Sequence, residues 1–311
     1  MTAFVLKLIA SACMLIDHIG AVFPTASPTA FRFIGRIAFP VYAYLVAQGC
    51  KHTKNINKYL LRLGIFALIS EIPFDLAFYG RFSWATGFLR DTNVFYTLFL
   101  GVGCIAVYEK LKQKAHPWLA LSLLPVLASE AVPRLLPEAV QYRLPLVGFA
   151  VFAALCAAAV FVTAQLLPDA KAQTTPSLGK KAIAAVAALP LVTTAGAFYT
   201  DYASIGVVLI FALYLAKPEN RVTRTLALTA GIVWIYGQNL FSAYGNFVDG
   251  RFVAAGHTLN TVNLTYLLCA LVAVVLVWFY NGKPGRKVKW AFYAFYPAHI
   301  AVLAAFSLLL V

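Results

Sequence analysis

The sequence predicts an all-α, polytopic integral membrane protein of about eleven transmembrane helices, with the N-terminus in the cytoplasm. Three observations carry that expectation. Of the 311 residues 62% are hydrophobic and only 12% charged, with a mean hydropathy of +0.80, far outside the composition of soluble globular domains. Largely apolar windows of about 18 or more residues recur between short polar breaks. Lysine and arginine then gather in alternate breaks, as the positive-inside rule requires.

The first span, 3–23, is too long and too polar at its centre for a signal sequence, and no small-residue cleavage site follows it, so it is expected to stay as a helix. Span 29–50 enters through Arg32 and Arg36 and runs to Lys51, Lys54 and Lys58, after which 59–79 begins. Asn93 opens 93–109, which ends at Lys110, Lys112 and Lys114. Spans 117–133 and 144–167 follow, on either side of Arg134 and Arg143. The hydrophilic stretch 168–181 reads as a flexible cytoplasmic linker within a single domain of residues 1–311. Beyond it, 182–198 and 202–216 are separated by the short turn Thr200, Asp201, Tyr202, and 225–245 follows Lys217, Arg221 and Arg224. Span 262–280 leads to Lys283, Arg286, Lys287 and Lys289, and 290–311 closes the chain.

With the N-terminus inside, the cytoplasmic breaks hold 17 lysines and arginines and the opposite side 7, with Lys7 left in the first span. A basic face toward anionic lipid accounts for the net charge of +14 without any nucleic-acid partner. The cysteines, Cys13, Cys50, Cys104, Cys156 and Cys269, stand singly in or at the ends of apolar helices, which marks them as small buried hydrophobes and predicts neither disulfides nor a metal site.

Ionisable residues inside a bilayer are costly and point to function or to pairing. Asp17 and His18 sit side by side in the outer half of the first span, Arg32 and Arg36 share a face of the second, and Glu71 and Asp75 flank Pro73 in the third. One reading is a buried scaffold in which the two arginines pair with Glu71 and Asp75. His18 is instead read as a general base or nucleophile, because a neutral imidazole suits that work near neutral pH. Asp17 points about 100° away from it around the helix, so the two need not bond each other. Asn93 and Asp201 join from the external side, and His299, two residues after Pro297, is either aimed into a cavity or bonded to a backbone carbonyl.

The run Met14–Gly20 with Lys7, the segment Arg32–Pro40, Lys58–Leu63, Ser70–Asp75, Thr200–Tyr202 and Phe295–His299 together resemble the TraX family, named for the enzyme that acetylates the N-terminus of F-pilin. The resemblance implies a membrane-bound acetyltransferase of the cytoplasmic (inner) membrane. It would take the acetyl group from cytosolic acetyl-CoA and pass it to an acceptor amine or hydroxyl outside, a pilin-like protein or an envelope glycan. In that setting Lys7, Lys51, Lys54, Lys58 and Arg62 are candidates for the CoA phosphates. His18 would be the base or nucleophile, Asp17 would orient it, and Arg32 or Arg36 would bind an acidic acceptor or the developing oxyanion. Glu71, Asp75, Asn93, Asp201 and His299 would contact or support the acceptor. Two other classes compete: a proton-coupled secondary transporter, disfavoured because the polar residues cluster in one half of the membrane, and a non-enzymatic scaffold for pilus or envelope assembly.

Overall fold

In the computed structural model, which describes residues 1–82, 91–113, 117–122, 124, 127, 176–216, 220–248 and 251–310, helices carry most of the described chain. Six helical stretches there are long and apolar enough to cross a membrane: Ala3–Val22, Ala30–His52, Val94–Leu111, Leu178–Ala197, Thr261–Trp278 and Trp290–Leu309. The span expected at 144–167 lies outside the described residues, and of 117–133 a 3-10 turn at Pro117–Ser122 and two isolated positions are described. The described chain forms two compact units, Met1–Leu45 with Ala216–Val311, and Val46–Leu215.

In the first unit, helix α1 (Ala3–Val22) packs on α2 (Ala30–Gly35). A helix leaves its first amide donors open. Thr2 Oγ1 accepts from Val5 N at 3.4 Å, while the amides of Ala3 and Phe4 donate to the carbonyls of Lys283 and Pro284 at 2.9 and 3.1 Å. The start of α1 is thus closed by residues from near the end of the chain. After α2 the chain tightens at Arg36 and Ile37, whose amides bond three residues back to Phe33 and Ile34, and then enters α3 (Ala38–His52). Pro40 explains the break, since it offers no amide to the carbonyl of Arg36.

Helix α9 (Arg221–Gly237) pairs with α10 (Thr261–Trp278), and α11 (Lys289–Leu310) packs on α1. The expected span 225–245 needs correction, because the helix stops at Gly237 and an antiparallel hairpin follows. Its strands are β1 (Phe241–Val248) and β2 (Arg251–Leu259), in register from Phe241 opposite Leu259 to Val248 opposite Arg251, with an irregularity at Tyr244/Gly245. Asp249-Gly250, between the strands in sequence, is a hairpin signal that the apolar run outweighed. The chain is therefore mainly, and not wholly, helical.

In the second unit, α5 (Val94–Leu111) is apolar all round, as a helix buried on all sides should be. It packs against α4 (Ile56–Tyr79), α6 (Leu178–Ala187), α7 (Leu189–Ala197) and α8 (Ala203–Leu215) around Cys104, Val107, Leu111, Ala187, Leu191 and Val207. Gly101 permits the approach of α8, since a Cβ there would lie 2.7 Å from Ile210 Cδ1. The expected linker 168–181 is shorter at its C-terminal end than the sequence suggests. Ser177 Oγ accepts from Lys180 N at 3.3 Å and starts α6, so Lys180 and Lys181 are helical.

Helix α4, the span expected at 59–79, is not among the six stretches, because Lys58, Arg62, Glu71 and Asp75 interrupt it, yet it exposes apolar residues. Leu61, Ile65, Leu68, Ile69 and Ile72 form one exposed stripe, whereas Leu60, Leu63, Ala67, Ser70, Glu71 and Phe74 are buried. Such an apolar exposed stripe belongs against lipid.

Candidate functional site

Helices α1 and α11 bring His18 and His299 together in the first unit, both more than nine-tenths buried. His18 Nδ1 lies 2.7 Å from His299 Nε2, the rings are parallel to within 4°, and their centroids are 5.0 Å apart. The Tyr296 ring stands edge-on to both, and Phe295 stacks on His299. His299 Nδ1 is 2.6 Å from the carbonyl oxygen of Phe295. That carbonyl lies one turn back on α11 and is not the one deprived of its amide by Pro297, which belongs to Tyr293.

These contacts fix the protons. A carbonyl can only accept, so His299 Nδ1 carries a hydrogen and donates it to Phe295. In a neutral ring the Nε2 of His299 is then an acceptor, and His18 must donate through Nδ1. The basic lone pair of His18 is accordingly on Nε2. The histidine partner, and not Asp17, orients the imidazole.

Asp17 faces the arginines instead. Its Oδ1 is 2.8 Å from Arg32 Nη1 and 3.8 Å from Arg36 Nη1, while Arg32 Nη1 also donates to the Asp17 carbonyl at 3.2 Å. The nearer contact, to Arg32, is a charge-assisted ion pair. Arg36 lies over the Tyr266 ring, 4.5 Å from its centroid. Gly35 makes the approach possible, since a Cβ there would run into Cβ, Cγ and Oδ1 of Asp17. The scaffold expected from Arg32, Arg36, Glu71 and Asp75 is therefore revised: the acid that both arginines hold is Asp17.

In the second unit, Glu71 takes Asn93 as partner. Its Oε2 accepts from Asn93 Nδ2 at 2.5 Å and from the Asn93 amide at 3.2 Å. Asn93 also donates from Nδ2 to Ala67 O and caps α5 by accepting from Phe95 N through Oδ1, both at 2.9 Å. The Asp201 amide donates to Thr92 O at 3.0 Å, which sets the Thr200–Tyr202 turn beside the start of α5. Asp75 is buried one turn beyond Glu71.

Of the basic candidates, Lys51, Lys54, Lys58 and Arg62 follow one another from the end of α3 into the first turns of α4. Lys51 lies over Tyr214 and Arg62 over Tyr59, and the buried Nε of Arg62 has no acceptor. Lys7, in the first unit, lies over Phe292. The fit to an anionic group rests on Arg62, because an unsatisfied buried guanidinium N–H is suited to a phosphate oxygen.

Sequence reasoning missed Tyr266, Gly35 and Arg224. Arg224 is buried within α9, where Nη2 donates to the carbonyls of Val277 and Tyr280 at 3.3 Å each and Nη1 donates to Tyr44 Oη at 3.4 Å. It closes the C-terminal end of α10, where helix carbonyls lack partners. Its place in a basic break concealed this, and only its position just inside α9, after the Asn220 cap, hinted otherwise.

A family model described as TraX protein matches residues 3–196, more than half of the chain and all of the α1–α5 site residues. The chain belongs to the TraX family. The segments Thr200–Tyr202 and Phe295–His299, with Asp201 and His299, lie beyond the matched residues. Along its whole length the chain is similar to the probable fimbrial assembly protein FimC, serogroup H1, of Dichelobacter nodosus, with 24% identity over 99% of this chain and 97% of that protein. No solved structure matches the chain.

Proposed function

We propose that this TraX-family protein is a membrane acetyltransferase that moves an acetyl group from cytosolic acetyl-CoA to an acceptor amine or hydroxyl on the external side. The observation that carries this reading is the chain of contacts from Phe295 O through His299 to His18, which sets Nε2 as the proton-accepting nitrogen of the neutral His18 ring. A lone buried histidine would be satisfied by one polar neighbour; a histidine whose tautomer is fixed by a second histidine is set up for proton transfer.

As a base, His18 Nε2 takes the proton of the acceptor while the acceptor attacks the thioester carbonyl, and returns it to the departing thiolate. As a nucleophile, Nε2 forms the bond to the acetyl carbon as the carbon–sulfur bond breaks, and the acceptor then displaces the imidazole. In both routes His299 Nε2 accepts the His18 Nδ1 hydrogen bond, which strengthens as positive charge grows on the His18 ring. Lys51, Lys54, Lys58 and Arg62, with Lys7, are assigned to the CoA phosphates. Asp17 holds Arg32 and Arg36 in place, and either arginine is suited to an oxyanion or an acidic acceptor. About eleven spans, a cytoplasmic N-terminus and the cytoplasmic membrane belong to this reading, supported by the charge asymmetry of the loops. The fimbrial relative favours a pilin-like acceptor over an envelope glycan, and it equally favours an assembly role without catalysis.

Purified full-length protein incubated with acetyl-labelled acetyl-CoA separates the two. Catalysis is supported by saturable binding and by release of CoA thiol that His18→Ala abolishes while binding persists. Absence of binding in the wild type leaves the assembly role.

A further inference from the structure

The second unit holds two carboxylates that lack cationic partners among the described residues. Glu71 and Asp75, 0% and 5% exposed, stand one turn apart on the buried face of α4. Asn93 satisfies only Oε2 of Glu71; Oε1 is buried with no hydrogen-bond partner. Thr92 is also fully buried, and its hydroxyl has no partner either. Its backbone lies near Glu71, because the amide of the next residue, Asn93, donates to Glu71 Oε2, and its carbonyl accepts from the Asp201 amide. The described charges acting on the pair are themselves negative, Asp75 on Glu71 and Asp91 on Asp75. Tyr79 lies within electrostatic reach of all three and of Asp201. Exposure rises from Glu71 and Asp75 through the half-buried Asp91 to the exposed Asp201.

Buried acids are sustained by a proton or by a cation. Every open atom here is an oxygen, the ligand type of hard cations. Calcium takes about six to eight oxygens, and the described residues contain no group of three or more His, Cys, Asp or Glu able to hold a metal. Two carboxylates and one hydroxyl supply part of a cation's oxygen shell, which backbone carbonyls and water complete. We propose that Glu71, Asp75 and Thr92 form a binding site for a sodium ion, with Asp91 and Asp201 drawing cations toward it. This role stands in place of the acceptor contact that the resemblance implies for Glu71, Asp75 and Asp201, and it does not rest on the acetyl-transfer reading.

The test uses the full-length protein in detergent, with sodium chloride replacing choline chloride at constant ionic strength and alkaline pH. Expected is a saturable rise in melting temperature, with release of protons into a weak buffer as sodium displaces them. Glu71→Gln should raise the sodium concentration at half-effect by about tenfold or more. Asp75→Asn and Thr92→Val should act in the same direction and decide the matter if Glu71→Gln does not fold. An equal response to potassium or choline, an unchanged response in the variants, or a response to methylammonium and not to sodium would overturn the proposal. In the last case the site takes an organic ammonium group, and in the others the acids simply hold protons.

Discussion

Gly35 lies directly against the Asp17 side chain, in space that the Cβ of any other residue would take. The glycine therefore sets the distance between α1 and α2, and with it the reach of Arg32 and Arg36. Gly35→Ala is expected to destabilise the protein by about 1–3 kcal/mol through overpacking. Gly179→Ala, where nothing lies within 4 Å, should leave the melting temperature unchanged or slightly raised. Equal melting temperatures for Gly35→Ala and the wild type would show that the helices part without cost.

The histidine pair gives a graded expectation. His18→Ala should abolish acetyl transfer, whereas His299→Ala should lower it by about 10²–10⁴-fold, the usual worth of acid–base assistance. His299→Gln should recover part of the loss, because an amide oxygen can accept from His18 Nδ1. Steady-state rates for the three variants check this; an inert His299→Gln alongside a fully active His299→Ala would remove the relay.

Asp17 and Arg32 lend themselves to a double-mutant cycle. Arg32→Gln alone leaves Asp17 with the longer contact to Arg36, and Asp17→Asn alone leaves two cations without their acid. The double variant should be more stable than the sum of the single losses indicates, with a coupling of about 0.5–3 kcal/mol. Additive losses in thermal denaturation would mean that the pair contributes little.

Arg224 should be hard to replace. Arg224→Ala removes the donors to Val277 and Tyr280 and opens space beside Tyr44, with an expected cost of about 1–3 kcal/mol. Arg224→Lys should restore little, since an ammonium lacks the planar fork that serves these groups together. A lysine variant with wild-type stability would assign the role to charge alone.

What was legible in the sequence follows from what a bilayer punishes. The edges of α1, α5, α10 and α11 were readable because apolar length and flanking charge set them locally. The stop at Gly237 was not, since residues beyond it remain apolar while the chain changes from helical to extended pairing. Asp17, His18, Arg32 and Arg36 stood out by cost, but their partners did not. Charge alone matched the arginines to Glu71 and Asp75, whereas close packing at Gly35 gave them Asp17, and Asn93 answered Glu71 by hydrogen bonding. The meeting of His18 and His299 depends on helix packing across nearly the whole chain, which no local pattern records.

The closure of α1 by Lys283 and Pro284, together with the His18–His299 contact, has a consequence for biogenesis. Helix α1 receives its terminal hydrogen bonds and its histidine partner only after the loop before α11, and α11 itself, have been made. Until then the first amides of α1 stay open and His18 lacks His299, an arrangement of high sequence separation that folds late. A chain cut short before residue 283 lacks both, so α11 must be made before any copy becomes competent.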